Sequence, residues 1–152
     1  MRTHGIRLTA MWQRKLRESS PFGQQTVNVL PRGLSGNSVL GSRLSIDNSN
    51  LVKVTADYAI PVYIGDITLG GNLLAVKRLV AYPHFDYTFI GCEGLWSAGI
   101  DLTADLNAII TLEWPCSVGL SFSWNGGSAW NRLAPAIDMS RWYVGPVFNV
   151  SF

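Results

Sequence analysis

Residues 142–152 read W-Y-V-G-P-V-F-N-V-S-F and alternate without a break to the last residue of the sequence. In an extended strand, successive side chains point to opposite sides. Trp142, Val144, Pro146, Phe148, Val150 and Phe152 therefore share one face, and Tyr143, Gly145, Val147, Asn149 and Ser151 share the other. A soluble domain seldom leaves its most hydrophobic strand at the fraying tip of a chain. The expectation is that this face meets something other than a protein interior.

Working outward, the same period-2 pattern recurs five more times, at about 5–15, 51–63, 73–89, 96–107 and 116–125, and no stretch of helical length carries a 3.6-residue stripe. In the first, Ile6, Leu8, Ala10 and Trp12 oppose Arg7, Thr9, Met11 and Gln13. In the second, Val52, Val54, Ala56, Tyr58, Ile60 and Val62 oppose Lys53, Thr55, Asp57 and Ala59. The third loses regularity near Lys77 and Arg78, where a bulge is expected. The fourth sets Trp96, Ala98, Ile100, Leu102, Ala104 and Leu106 against Ser97, Gly99, Asp101, Thr103, Asp105 and Asn107. The fifth sets Val118, Leu120, Phe122 and Trp124 against Ser117, Gly119, Ser121 and Ser123. In the first, second, fourth and fifth of these stretches and in 142–152, every charge among the residues named lies on a polar face. That asymmetry suits lipid on one side, where an Arg or Lys at mid-bilayer costs about 2 to 4 kcal/mol, and a wet barrel interior on the other. A polar face turned to bulk water would carry more Lys and Glu than this one does.

Composition agrees. Apolar residues make up 47% of the 152 positions and charged residues only 14%, against about 25% charged in soluble domains. This argues against a disordered chain, and no apolar run is long enough for a membrane-spanning helix. A net charge of +2, with Arg14, Lys15 and Arg17 unaccompanied by stacking aromatics, gives no support to nucleic-acid binding. The N-terminal segment lacks the apolar core of a signal peptide, which a secreted barrel requires, so upstream sequence is expected to be missing.

Outer-membrane barrels connect strands by short periplasmic turns and longer extracellular loops. With the C-terminus placed in the periplasm, the two longest connections, about 16–50 and 125–141, both fall outside. Tyr63, Tyr87, Phe89, Trp96, Trp114, Trp124 and Trp142 lie near strand ends, where aromatic residues form interfacial girdles. Cys92 and Cys116 then sit at opposite ends of an apolar band about 25 Å tall, too far apart for a disulfide. Neither has CxxC or His-rich spacing, so no metal site or redox pair is expected.

No catalytic, cofactor-binding or metal-binding residue is assigned. His4 and His84 are the only histidines, and the serines and aspartates define no triad without a positioned base. The L-G-G-N and W-N-G-G segments are turn chemistry rather than phosphate cradles, since neither opens a helix. The sharper pair is L-P-R-G-L, with Arg32 and Gly33 in the first long connection, and H-F-D-Y-T, with Asp86 on the third strand. In these segments the sequence resembles the surface-antigen and barrel-assembly superfamily of outer-membrane barrels, which includes the outer-membrane insertase. Its members carry an Arg-Gly-aromatic tip on a loop folded into the lumen and an F-x-D-x-G motif on a later strand.

Here Leu34 stands for the aromatic residue, and His84 and Thr88 for the Phe and Gly. Five strands follow the loop, as in the family, and L-W-S-A-G-I-D-L is similar to the family's next strand. The order P-V-Y-I-G-D, V-K-R-L, F-D-Y is closer to large barrel proteins of Bacteroidota, some of which carry a Tol-type propeller before the barrel. The resemblance implies a luminal loop latch of Arg32, Gly33 and Asp86, held by a charge-assisted contact. The alternative is a solvated Arg32 and an unpaired Asp86 at the lumen rim.

The fold expected is therefore all-β: about six antiparallel, up-and-down transmembrane strands at 1–152, an incomplete barrel, with Phe148, Val150 and Phe152 on a barrel-closing C-terminal strand. Six strands leave two edges unpaired in hydrocarbon, so upstream strands of the same barrel or other subunits are expected as partners. Further expected partners are outer-membrane lipid and, through the C-terminal strand, the barrel-assembly machinery. The function expected is insertion, export or anchoring of polypeptides at the bacterial outer membrane. The competing expectation is a soluble all-β sandwich, a lectin-like binding module using the loop around Trp130.

Overall fold

The computed structural model describes residues 4–14, 29–35, 50–69, 74–108, 115–133, 135 and 140–150. They form a single six-stranded antiparallel sheet in sequential order: β1 (Gly5–Arg14), β2 (Asn50–Leu69), β3 (Leu74–Ile90), β4 (Glu93–Ala108), β5 (Pro115–Gly126) and β6 (Trp142–Val150). Each strand pairs antiparallel with the next one in the chain, which makes the sheet a meander. β1 and β6 are the two edges. β6 pairs with β5 alone, so the sheet formed by the described residues is open and is not closed into a barrel. Phe152 lies outside the described residues. None of the described helices is long and apolar enough to cross a membrane.

One strand runs well beyond its alternation. β2 continues to Leu69, well past Tyr63, because register shifts between Pro61 and Tyr63 and between Ile64 and Ile67 break the two-residue period without ending the pairing. Gly65 and Asp66, which read as turn residues, therefore lie inside the strand. The irregularity expected near Lys77 falls where the β3–β4 register slips between Val76 and Arg78. β3 and β4 are joined by Gly91 and Cys92, a turn with Gly91 at φ 62°, a conformation open to glycine at no steric cost.

Burial along the sheet is inverted: polar side chains are covered and large apolar ones are not. Thr55, Asp57, His84, Asp86, Thr88, Ser97, Asp101, Thr103, Ser121, Ser123 and Asn125 are buried, while Ile6, Leu8, Trp12, Phe85, Phe89, Leu102, Leu120, Phe122, Trp124, Val144 and Phe148 are exposed. Register places these sets on opposite faces. Asp86, Ser97 and Asn125 stand side by side across β3, β4 and β5, and Phe85, Ala98, Trp124 and Trp142 form the next row on the other side. The polar face is covered at one end by two segments. One contains a 3-10 turn, Arg32–Leu34, and the other a one-turn helix, α1 (Trp130–Leu133). The main apolar cluster lies there: Val29, Leu30 and Leu34 pack with Leu51, Ile90 and Leu95 of the sheet and with Ala129, Trp130 and Leu133.

Candidate functional site

Arg32 reaches the polar face through the 3-10 turn and meets aspartates from three consecutive strands. Its Nη2 donates to Asp57 Oδ1 on β2 at 2.6 Å and its Nη1 to Asp101 Oδ2 on β4 at 2.8 Å. Its backbone N–H donates to Asp86 Oδ2 on β3 at 2.7 Å, with Nε of the same residue 3.8 Å from that oxygen. Asp86 is fully buried and the Arg32 side chain is 27% exposed. A guanidinium suits this position because its planar fork sends hydrogen bonds in several directions at once. Burial weighs against the cation, but its hydrogen bonds to Asp57 and Asp101 and the charge of Asp86 outweigh that cost and hold its pKa above the ordinary value.

Gly33 is required by close approach. A Cβ there would run into Asn125 Oδ1 and stand 2.9 Å from both Asn125 Nδ2 and Ser123 Cβ, so only hydrogen fits between this backbone and β5. The polar face also supports the segment through its main chain. Gly33 N–H donates to Ser97 Oγ at 3.3 Å, Asn125 Nδ2 to Gly33 O at 3.5 Å, Thr88 Oγ1 to Val29 O at 2.6 Å and Lys53 Nζ to Leu30 O at 2.8 Å. A segment covered against a sheet must satisfy its backbone there, and these side chains do that.

The structure thus brings Arg32, Gly33 and Asp86 together at one end of the polar face. Phe148 is on the opposite face and 74% exposed. Val150 pairs with Cys116 at the far end of β6. Leu34, where the resemblance has an aromatic residue, is buried in the apolar cluster. Trp130, the ligand-binding candidate of the soluble alternative, is buried in that cluster too, with the Arg141 guanidinium 5.9 Å from its ring centroid. Cys92 and Cys116 are both free thiols.

Sequence reading missed the other members of the cage. Asp57 and Asp101 lie 25 and 69 residues from Arg32 along the chain, and nothing local connects them. The signal present was an aspartate on the polar face of each of three successive strands, whose alignment depends on register.

His84 holds another arrangement on this face. Its Nε2 is 3.2 Å from Ser123 Oγ and its Nδ1 3.6 Å from Asp101 Oδ1. The residue types are those of a hydrolytic triad, but the distance to Asp101 exceeds a hydrogen bond. Ser123 is buried beneath Gly33, and Asp101 is already engaged by Arg32. His84, Ser123 and Asp101 therefore form a buried polar network and not an aligned triad. Among the described residues no cluster of His, Cys, Asp and Glu suits a metal ion. Below Arg32 a cavity of about 520 Å³ opens along the polar face, lined in part by Arg7, Arg78, Tyr82 and Asp105.

No family model, curated protein or solved structure matches the chain.

Proposed function

We propose that this chain is part of an outer-membrane β-barrel whose protein inserts, exports or anchors polypeptides at the bacterial outer membrane, with segment 29–35 as a plug latched inside the lumen. The inverted burial carries the reading. An aspartate cage sits on the buried face of the sheet, while the opposite face presents Leu8, Leu102, Phe122 and Phe148 uncovered. In water such a continuous apolar surface is a severe liability; against acyl chains it is the required surface. Its height fits as well. From Trp96 to Leu106 the outward row of β4 covers about 33 Å of strand, which at a barrel tilt near 40° gives about 25 Å, the thickness of the apolar band.

In hydrocarbon the free edges of β1 and β6 must be paired, so the reading calls for further strands from the same barrel or from other subunits, with outer-membrane lipid around them and the C-terminus in the periplasm. The barrel-assembly machinery, acting through the C-terminal strand, is the partner in folding. The link to polypeptide handling rests on the resemblance of the Arg32-Gly33 tip and the Asp86 motif to the barrel-assembly superfamily. The latch itself serves transport and anchoring equally. The test is fractionation: the protein should leave membranes only with detergent and migrate faster on gels when unheated than when boiled. A compact monomer in plain buffer would overturn the proposal in favour of a soluble all-β module with its apolar face covered.

A further inference from the structure

Asp57 serves two arginines. Its Oδ1 accepts from Arg32 Nη2 of the plug at 2.6 Å, and its Oδ2 accepts from Nε and Nη2 of Arg7 at 3.0 and 2.7 Å. Arg7 is the cross-strand neighbour of Asp57 on the edge strand β1, and its side chain is 74% exposed, whereas Asp57 is almost fully buried. Among the described residues, Asp57 is the one side chain bonded to both the plug and the sheet edge. The other charges facing the plug divide between strands in a way that leaves this junction distinct. Asp86 and Asp101 contact Arg32 but not Arg7, Lys53 is bound to the plug carbonyl of Leu30, and Arg78 is paired with Asp105.

We propose that the plug and the β1 edge compete for the Asp57 carboxylate, so that an event drawing Arg7 away from it tightens the plug, and release of the plug leaves Asp57 wholly to the edge strand. Two like charges share one carboxylate, so each weakens the hold of the other. Coupling of this kind is reciprocal by thermodynamic necessity. It gives the latch a connection to the strand where a neighbouring strand must dock, and a docking strand with its own carboxylate opposite Arg7 is the event that would use it. The inference rests on the reading of segment 29–35 as a luminal plug.

Leu34, a buried residue of the plug itself, provides the reporter. In a Cys92→Ser, Cys116→Ser background, Leu34→Cys reacts with a maleimide only when the plug opens; Leu30→Cys is the substitute should that variant fail to fold. The labelling rate of the full chain in detergent should fall about two- to fivefold with Arg7→Gln, the scale of a largely exposed ion pair. It should rise about a hundredfold or more with Arg32→Gln, which removes the buried partner. In Asp57→Asn the Arg7→Gln effect should vanish. An unchanged or faster rate in Arg7→Gln, or a persisting effect in Asp57→Asn, overturns the competition while leaving the plug intact. Equal labelling of Arg32→Gln and the parent sinks the plug reading itself.

Discussion

Replacing Arg32 by lysine keeps the charge and removes the fork, which makes it the sharpest probe of the cage. The guanidinium places Nη1 on Asp101 and Nη2 on Asp57, while one ammonium can occupy only one of those positions. Hydrogen bonds to charged groups contribute about 1.5 to 3 kcal/mol each. Arg32 retains 27% exposure, so solvent screening lowers the loss of one such contact to about 1 to 2 kcal/mol. Arg32→Gln goes further and leaves Asp86 and Asp101 without their cation. Breaking a buried ion pair costs about 3 to 5 kcal/mol, and the partial exposure together with the remaining Arg7 contact to Asp57 places the expected loss near the lower end.

The assay is urea unfolding in detergent micelles, followed by tryptophan fluorescence and by the fraction running as the compact form on unheated gels. The expected order is Arg, then Lys, then Gln, in two resolved steps. Lysine equal to arginine would mean that the planar geometry contributes nothing. Glutamine equal to both would mean that the cage does not hold the plug at all.

Gly33→Ala should destabilise by about 1 to 3 kcal/mol through overpacking against Asn125 and Ser123; the same unfolding assay should find much of the loss restored by adding Asn125→Ala, and a neutral Gly33→Ala would contradict the close approach. Leu102→Lys, on the exposed apolar face, should cost about 2 to 4 kcal/mol in lipid vesicles, whereas a change within about 0.5 kcal/mol, usual for a water-facing site, would argue against lipid contact. Cys92, exposed at the β3–β4 turn, should react with a membrane-impermeant maleimide on intact cells and lose that labelling in Cys92→Ser; reaction only after lysis would reverse the proposed topology.

Much of the fold was legible because strand alternation is local. Which residues share a face follows from the two-residue period, and the charge-free faces of residues 51–63, 96–107 and 116–125 needed no tertiary information. Strand ends were less legible where the period broke. Beyond Tyr63 the segment I-G-D-I-T-L has turn composition, yet register shifts keep it paired to β3 as far as Leu69. The Arg32, Gly33 and Asp86 positions stood out as motifs, but a motif names residue types and not their neighbours.

Alternation alone sets strands with one apolar and one polar side, because side-chain direction in a strand is fixed by backbone geometry. Tertiary structure decided the rest. Asp57 and Asp101 join Asp86 around Arg32 only because register slides three strands into line, and that register depends on turns and bulges distributed along the whole sheet. Trp130, which in sequence is one aromatic in a long connection, becomes part of the apolar cap only when α1 folds over β4 and meets Leu30 and Leu34 from a segment about a hundred residues earlier. Contacts between distant parts of a chain follow the pairing of the whole sheet, and no local pattern encodes them.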